Sequence, residues 1–192
     1  MAKVINLEST PNPNALKYIV DAPLTAGDSR SFASLAEAET SGDALAISLL
    51  RISGVTSVYY MDRFVTLSKI ESVSFHALHP QAVAAIEKSA SGALPVAIST
   101  QSAAEAAAAL AHLSPEERAM MEKINQVLNS DVRPALAGDG GGLVVLGLDN
   151  NVLKIKYQGA CGSCPSATAG TIAAIQNVLR FKVNPELSVV PG

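Results

Sequence analysis

The sequence predicts an α+β protein of two small α/β-type domains, each a small sheet packed with helices, joined by an Ala-rich linker. Three observations support this. The 192 residues are 48% hydrophobic and 16% charged, enough apolar material to bury a core. Short alternating apolar runs are interleaved with segments of helical period. Both patterns stop near residue 93, where Ser, Thr and alanines take over up to residue 112. The resulting division is a first domain over 1–92, a linker over 93–112 and a second domain over 113–192.

In the first domain, Val4-Ile5-Asn6-Leu7-Glu8 alternates as a strand does. Pro11 and Pro13, flanked by Thr10, Asn12 and Asn14, allow neither a helix nor a central strand, so they form a rigid turn. Leu16 to Val20 is a second strand. Residues 25–42, rich in Ser, Thr, Gly and Ala, read as loop with at most a short helix. Asp43 caps a helix carrying Leu45, Leu49 and Ile52, with Gly54 past its end. Val55 to Tyr60 and Phe64 to Lys69 are strands joined at Met61-Asp62-Arg63. A helix from about Leu78 to Ser91, with Val83 and Ile86 inward and Gly92 as a stop, completes the domain. Arg30, Arg51 and Arg63 are scattered and read as solvated surface. The linker runs from Pro95 into Ala103 to Ala109, a semi-flexible spacer of low side-chain volume.

The second domain opens on Ser114-Pro115-Glu116-Glu117, a capping box with proline at the first helical position. Met120, Met121, Ile124, Val127 and Leu128 follow at helical spacing, and Pro134 ends or redirects the element. The glycine-rich Gly138 to Gly142 reads as a sharp turn needing positive φ, not as a phosphate loop, because it lacks the GxxxxGK[ST] pattern. A hairpin of Leu143–Leu146 and Val152–Tyr157 turns at Asp149-Asn150-Asn151. After Cys161 and Cys164 comes a helix from about Ser166 to Phe181, with Ile172, Ile175, Val178 and Leu179 inward, and a short strand at Val189-Val190.

Composition narrows the function. Aromatics are 4% and Trp is absent, so the core is aliphatic. The net charge is −3 with no basic stripe, and nucleic acid is not expected as a partner. Apolar runs such as Leu143 to Leu148 fall far short of the roughly 20 residues that a bilayer requires, so no membrane association is expected. Residues Met1 to Glu8 carry neither a long apolar segment nor an Arg-rich helix, which points to the cytoplasm. Two cysteines exclude a disulfide scaffold. No Ser/His/Asp nucleophile set is visible, and no enzymatic activity is expected.

Cys161 and Cys164 are the chemistry. Pro165 suits the first helical turn, so Cys164 is near a helix N-terminus, where N–H groups and the dipole stabilise a thiolate. Gly159 and Gly162 keep the loop thin. The two-residue spacing lets both sulfurs face one soft metal centre, zinc or iron–sulfur. Such centres normally take four protein ligands. His76, His79 and His112 lie outside the second domain, so one chain offers two thiolates and two chains offer four. A centre shared by a homodimer on a two-fold axis is the simplest arithmetic. Two alternatives stand beside it: a CxxC thiol–disulfide oxidoreductase and a zinc-bridged interaction module. Against the first, the helix would normally begin at the first cysteine, whereas here proline follows the second.

The motifs Val132-Arg133-Pro134-Ala135-Leu136, Asp139-Gly140-Gly141 and Gly159-Ala160-Cys161-Gly162-Ser163-Cys164-Pro165-Ser166 together resemble the NifU C-terminal domain. The segment from Glu8 to Tyr18, with Ser53-Gly54-Val55 and Phe64-Val65-Thr66-Leu67, resembles the N-terminal domain of Nfu proteins. Gly142 departs from the acid common in the family, and Gly170-Thr171-Ile172 from its frequent Thr-Leu-Lys. The resemblance implies a non-enzymatic iron–sulfur scaffold or carrier. It would hold a 4Fe–4S cluster (2Fe–2S is also possible) between two chains through Cys161 and Cys164. It would receive the cluster from upstream assembly factors and pass it to apo iron–sulfur client proteins.

Overall fold

The computed structural model describes residues 2–89, 114–163 and 165–192. The chain forms two compact units, Met1–Ser99 and Thr100–Gly192. Each combines a sheet with helices, which is the α+β class expected. The expected Ala-rich linker over 93–112 lies outside the described residues.

The N-terminal unit runs β1 (Val4–Ser9), β2 (Ala15–Val20), β3 (Ser29–Phe32), α1 (Leu35–Ser41), α2 (Ala44–Leu50), β4 (Val55–Met61), β5 (Phe64–Lys69) and α3 (Phe75–Ser89). The sheet order is β1-β2-β5-β4-β3, with every neighbour antiparallel. The proline turn between β1 and β2 is held by Thr10, whose Oγ1 donates to the carbonyls of Asn12 or Ala15 at 2.9 and 3.0 Å. One face of the sheet buries Tyr18, Val20, Val58, Tyr60, Val65 and Leu67 against Leu45, Leu49, Leu78, Ala82 and Ile86 of α2 and α3.

Three expectations need correction. Residues 25–42 hold a strand as well as a helix. Strand β3 alone would be a weak element, with only Phe32 fully buried, but pairing with β4 stabilises it, Phe32 opposite Val58. Next, α3 starts at Phe75, three residues before the expected Leu78. Ser74 closes its N-terminus, its Oγ accepting from the His76 N–H at 3.2 Å. Pro80 is tolerated inside α3 because it faces solvent, where the carbonyl left without a donor can be hydrated. His79, beside it, stacks on Tyr18 with ring centroids 5.9 Å apart.

The third correction concerns Arg30, which is not solvated surface. Its Nη1 donates to Asp43 Oδ2 at 2.7 Å, and Asp43 is 4% exposed. The same carboxylate accepts from the Tyr60 hydroxyl and caps α2, Oδ1 taking the Ala46 N–H at 2.9 Å. Burial first, and then the negative charge of Asp43, push the Tyr60 phenol far above its usual range. One carboxylate thus ties β3, β4 and α2 together. A buried charge held by three donors is stable only while all three remain.

The C-terminal unit begins with α4 (Pro115–Val127). Its capping box is formed: Ser114 Oγ accepts from the Glu117 N–H at 3.2 Å, and Glu117 Oε2 accepts from the Ser114 N–H at 2.8 Å. A π-turn over Leu128–Val132 leads into α5 (Arg133–Gly138). Pro134 has no N–H and would clash with the carbonyl four residues back, and the extra residue of the π-turn accommodates it. Strands β6 (Gly141–Asp149) and β7 (Val152–Gly159) form an antiparallel hairpin, turning at Asn150 and Asn151 with φ 46° and 65°. A 3₁₀ turn (Ala160–Ser163), α6 (Pro165–Lys182) and β8 (Ser188–Pro191) follow, and β8 lies parallel beside β7. Met121, Ile124, Leu128, Leu136, Leu153, Ile155, Ile175 and Leu179 fill the core.

Replacing Asp43 with Ala leaves Arg30 and Tyr60 buried without their acceptor and removes the α2 cap. The expected loss is about 3–5 kcal/mol, the usual cost of breaking a buried pair, read as a lower denaturation midpoint in the full chain. A loss below about 1 kcal/mol, the worth of an exposed pair, would show that the cluster is not the tie described.

Candidate metal centre

The chemistry of the C-terminal unit sits at the open end of the β6–β7 hairpin. Helix α5 closes at Asp139, whose N–H donates to the Ala135 carbonyl at 3.1 Å. Gly140 then turns the chain at φ 77°, a value glycine adopts without strain. Across the hairpin Gly141 pairs with Gly159, itself at φ 66°. The Ala160 N–H donates to the Gly140 carbonyl at 3.2 Å, clamping the start of the 3₁₀ turn onto the glycine turn. Cys161 follows at once.

The glycines around Cys161 are required by contact. A Cβ on Gly141 would stand 2.8 Å from Cys161 Sγ and 2.8 Å from the Gln158 carbonyl oxygen. Both are inside van der Waals distance, so the sulfur lies against bare backbone. A Cβ on Gly162 would stand 3.1 Å from the Tyr157 carbonyl oxygen, so the turn folds back over the last residues of β7. The expectation that Gly162 keeps the loop thin agrees with this geometry. Gly141 is the residue that sequence reasoning misses. The positive φ expected of the glycine run belongs to Gly140, while Gly141 is needed for a close approach from the opposite strand.

Cys161 is half-buried and packs against the C-terminal core, as does Tyr157. The Tyr157 hydroxyl is buried and has no hydrogen-bond partner among the described residues. Burial, and after it the negative charge of Cys161, push the Tyr157 phenol up to about 12.

Cys164 lies outside the described residues, and α6 begins at the following residue, Pro165, the first-turn position expected for it. His76 and His79 are on α3 of the N-terminal unit, and His112 lies outside the described residues. Among the described residues, no three His, Cys, Asp or Glu side chains come together to hold a metal ion. The donor at the site is a thiol, which as thiolate suits iron or zinc better than magnesium or calcium.

Comparison with known proteins gives two family matches in chain order. Residues 5–92 match the model described as scaffold protein Nfu/NifU N terminal, and residues 124–190 match the NifU-like domain. A Drosophila willistoni protein named NFU1 iron-sulfur cluster scaffold homolog, mitochondrial, is 33% identical over 187 residues, covering 97% of this chain and 62% of that protein. The Arabidopsis thaliana NifU-like protein 4, mitochondrial, is 33% identical over 182 residues, covering 94% and 62%. The human NFU1 iron-sulfur cluster scaffold homolog, mitochondrial, is 33% identical over 187 residues, covering 97% and 70%. The chain therefore spans less than two thirds of the Drosophila and Arabidopsis relatives. Among the described residues, no helix is long and apolar enough to cross a membrane. With an Nfu N-terminal domain followed by a NifU-like domain, the chain belongs to the Nfu family of NifU-like proteins.

Proposed function

We propose that this protein is an iron–sulfur cluster scaffold or carrier, not an enzyme, and that Cys161 and Cys164 of two chains hold one 4Fe–4S cluster. The observation that carries this reading is the incomplete donor set. Cys161 is exposed enough to reach a ligand, and no third donor converges on it among the described residues. A cluster that takes four thiolates is then satisfied by two copies of a CxxC loop. The names of the relatives, which describe iron–sulfur scaffolds, point the same way. A cargo bound at a surface loop leaves by ligand exchange: cysteines of an apo client replace the scaffold thiolates one at a time. Upstream assembly factors load the site by the same exchange in reverse.

Metal analysis of the full chain, purified or reconstituted without oxygen, tests the reading. About four irons and four sulfides per dimer are expected. Cys161→Ala and Cys164→Ala should each abolish them while the chain stays folded by circular dichroism. Zinc at one ion per dimer would favour an interaction module instead. Reduction of protein disulfides by a metal-free monomer would favour an oxidoreductase.

The glycine contact gives a second expectation. Gly141→Ala forces a methyl group into the Cys161 sulfur and the Gln158 carbonyl. Iron content after reconstitution should fall, and stability should drop by about 1–3 kcal/mol, as for overpacking. Gly170→Ala is the control, because a Cβ there meets nothing within 4 Å in α6. It should keep full iron content and gain about 0.5–1 kcal/mol from helix propensity. Normal iron content in Gly141→Ala would contradict the role given to the contact.

A further inference from the structure

The Tyr157 hydroxyl is buried and makes no hydrogen bond among the described residues. An unsatisfied buried hydroxyl is destabilising, and phenylalanine would fill the same space without that cost. Filling the core does not by itself call for the oxygen.

Its position suggests what. Register places Tyr157 opposite Leu143 and Gly159 opposite Gly141. Residues two apart on a strand share a face, so Tyr157 stands on the Gly141–Gly159 face of the hairpin. The Cys161 sulfur is on that same face, against Gly141. The Cys161–Gly162 turn folds back over the Tyr157 backbone, and both side chains pack on the same core. At neutral pH a phenol is protonated and able to donate. At this end of the hairpin the Cys161 thiolate, or a sulfide it binds, is a charged acceptor for such a donor.

We propose that Tyr157 is a positioning residue for the cargo, its hydroxyl donating a hydrogen bond to the Cys161 thiolate or an adjacent cluster sulfide once the cluster is bound. The unmet hydrogen bond of the empty protein is then satisfied in the loaded one. The hydroxyl favours retention and slows release to a client. This inference rests on the scaffold reading above.

The test is Tyr157→Phe in the full chain, reconstituted beside the natural protein. The variant should fold with a melting temperature equal to or above that of the natural apo-protein. Its cluster should be lost to an iron chelator between about tenfold and a hundredfold faster, the factor carried by a hydrogen bond to a charged acceptor. Its thiolate-to-iron charge-transfer absorption should move to lower energy, a shift that a purely structural role would not produce. Equal chelation rates and unchanged spectra would overturn the role of Tyr157 and leave the scaffold reading intact. A lower melting temperature in the apo variant would also overturn it, by showing that the hydroxyl already has a partner in the empty protein. If neither protein takes up iron and sulfide, the scaffold reading fails and takes this inference with it.

Discussion

The sulfur of Cys161 resting on the backbone of Gly141 is the contact around which the candidate site is organised. It exists only if two strands meet at a pair of glycines and the chain leaves the second strand in a tight turn. Gly140 supplies the turn before the contact and Gly159 the turn after it, both in the left-handed region. The hydrogen bond from Ala160 to Gly140 holds the two turns together. The sulfur therefore lies against main chain on one side and the apolar core on the other. Packing of this kind leaves fewer rotamers to freeze on binding, which is the advantage of a preorganised site.

The N-terminal unit is organised by a different device. Its core is aliphatic with a few tyrosines, and its least predictable strand is secured by a buried carboxylate. Asp43 receives hydrogen bonds from a strand arginine, a strand tyrosine and a helix N–H. Such a group adds little net stability over an apolar replacement but admits only one arrangement of its donors. Whichever partners this unit meets, it presents them with a defined sheet edge.

What the sequence made legible follows from physical range. Strands β1, β2, β4 and β5 are short runs rich in aliphatic, β-branched and aromatic residues bounded by turn residues and can be read locally, as can the Ser114–Glu117 capping box. Strand β3 cannot, because Arg30 is tied to Asp43 and Phe32 to Val58, both distant in sequence. The start of α3 at Phe75 is hidden too, since Pro80 stands inside the helix and faces solvent. At the candidate site the cysteines are legible from spacing, but Gly141 is not. Counting back from the Asn150–Asn151 turn pairs Gly141 with Ala160. The irregularity between Val145 and Gly147 shifts the register by one and delivers Gly159 instead. Tyr157 is equally hidden, since a strand tyrosine reads as packing until its oxygen is found without a partner.

The π-turn over Leu128–Val132 has a consequence for angular phase. One residue more than a regular helix needs rotates everything downstream by about 100° about the axis, from 3.6 residues per turn. With that offset, Leu136 of α5 reaches the same core as Ile124 of α4 despite the intervening proline. Lengths in this stretch are therefore constrained more tightly than side chains. Shortening it by one position would keep Leu136 within about 20° of Ile124 on a regular helix but press the Pro134 ring on the carbonyl four residues back. Lengthening it by one would swing α5, and the glycine turn attached to it, away from the hairpin, although no residue near the cysteine had changed.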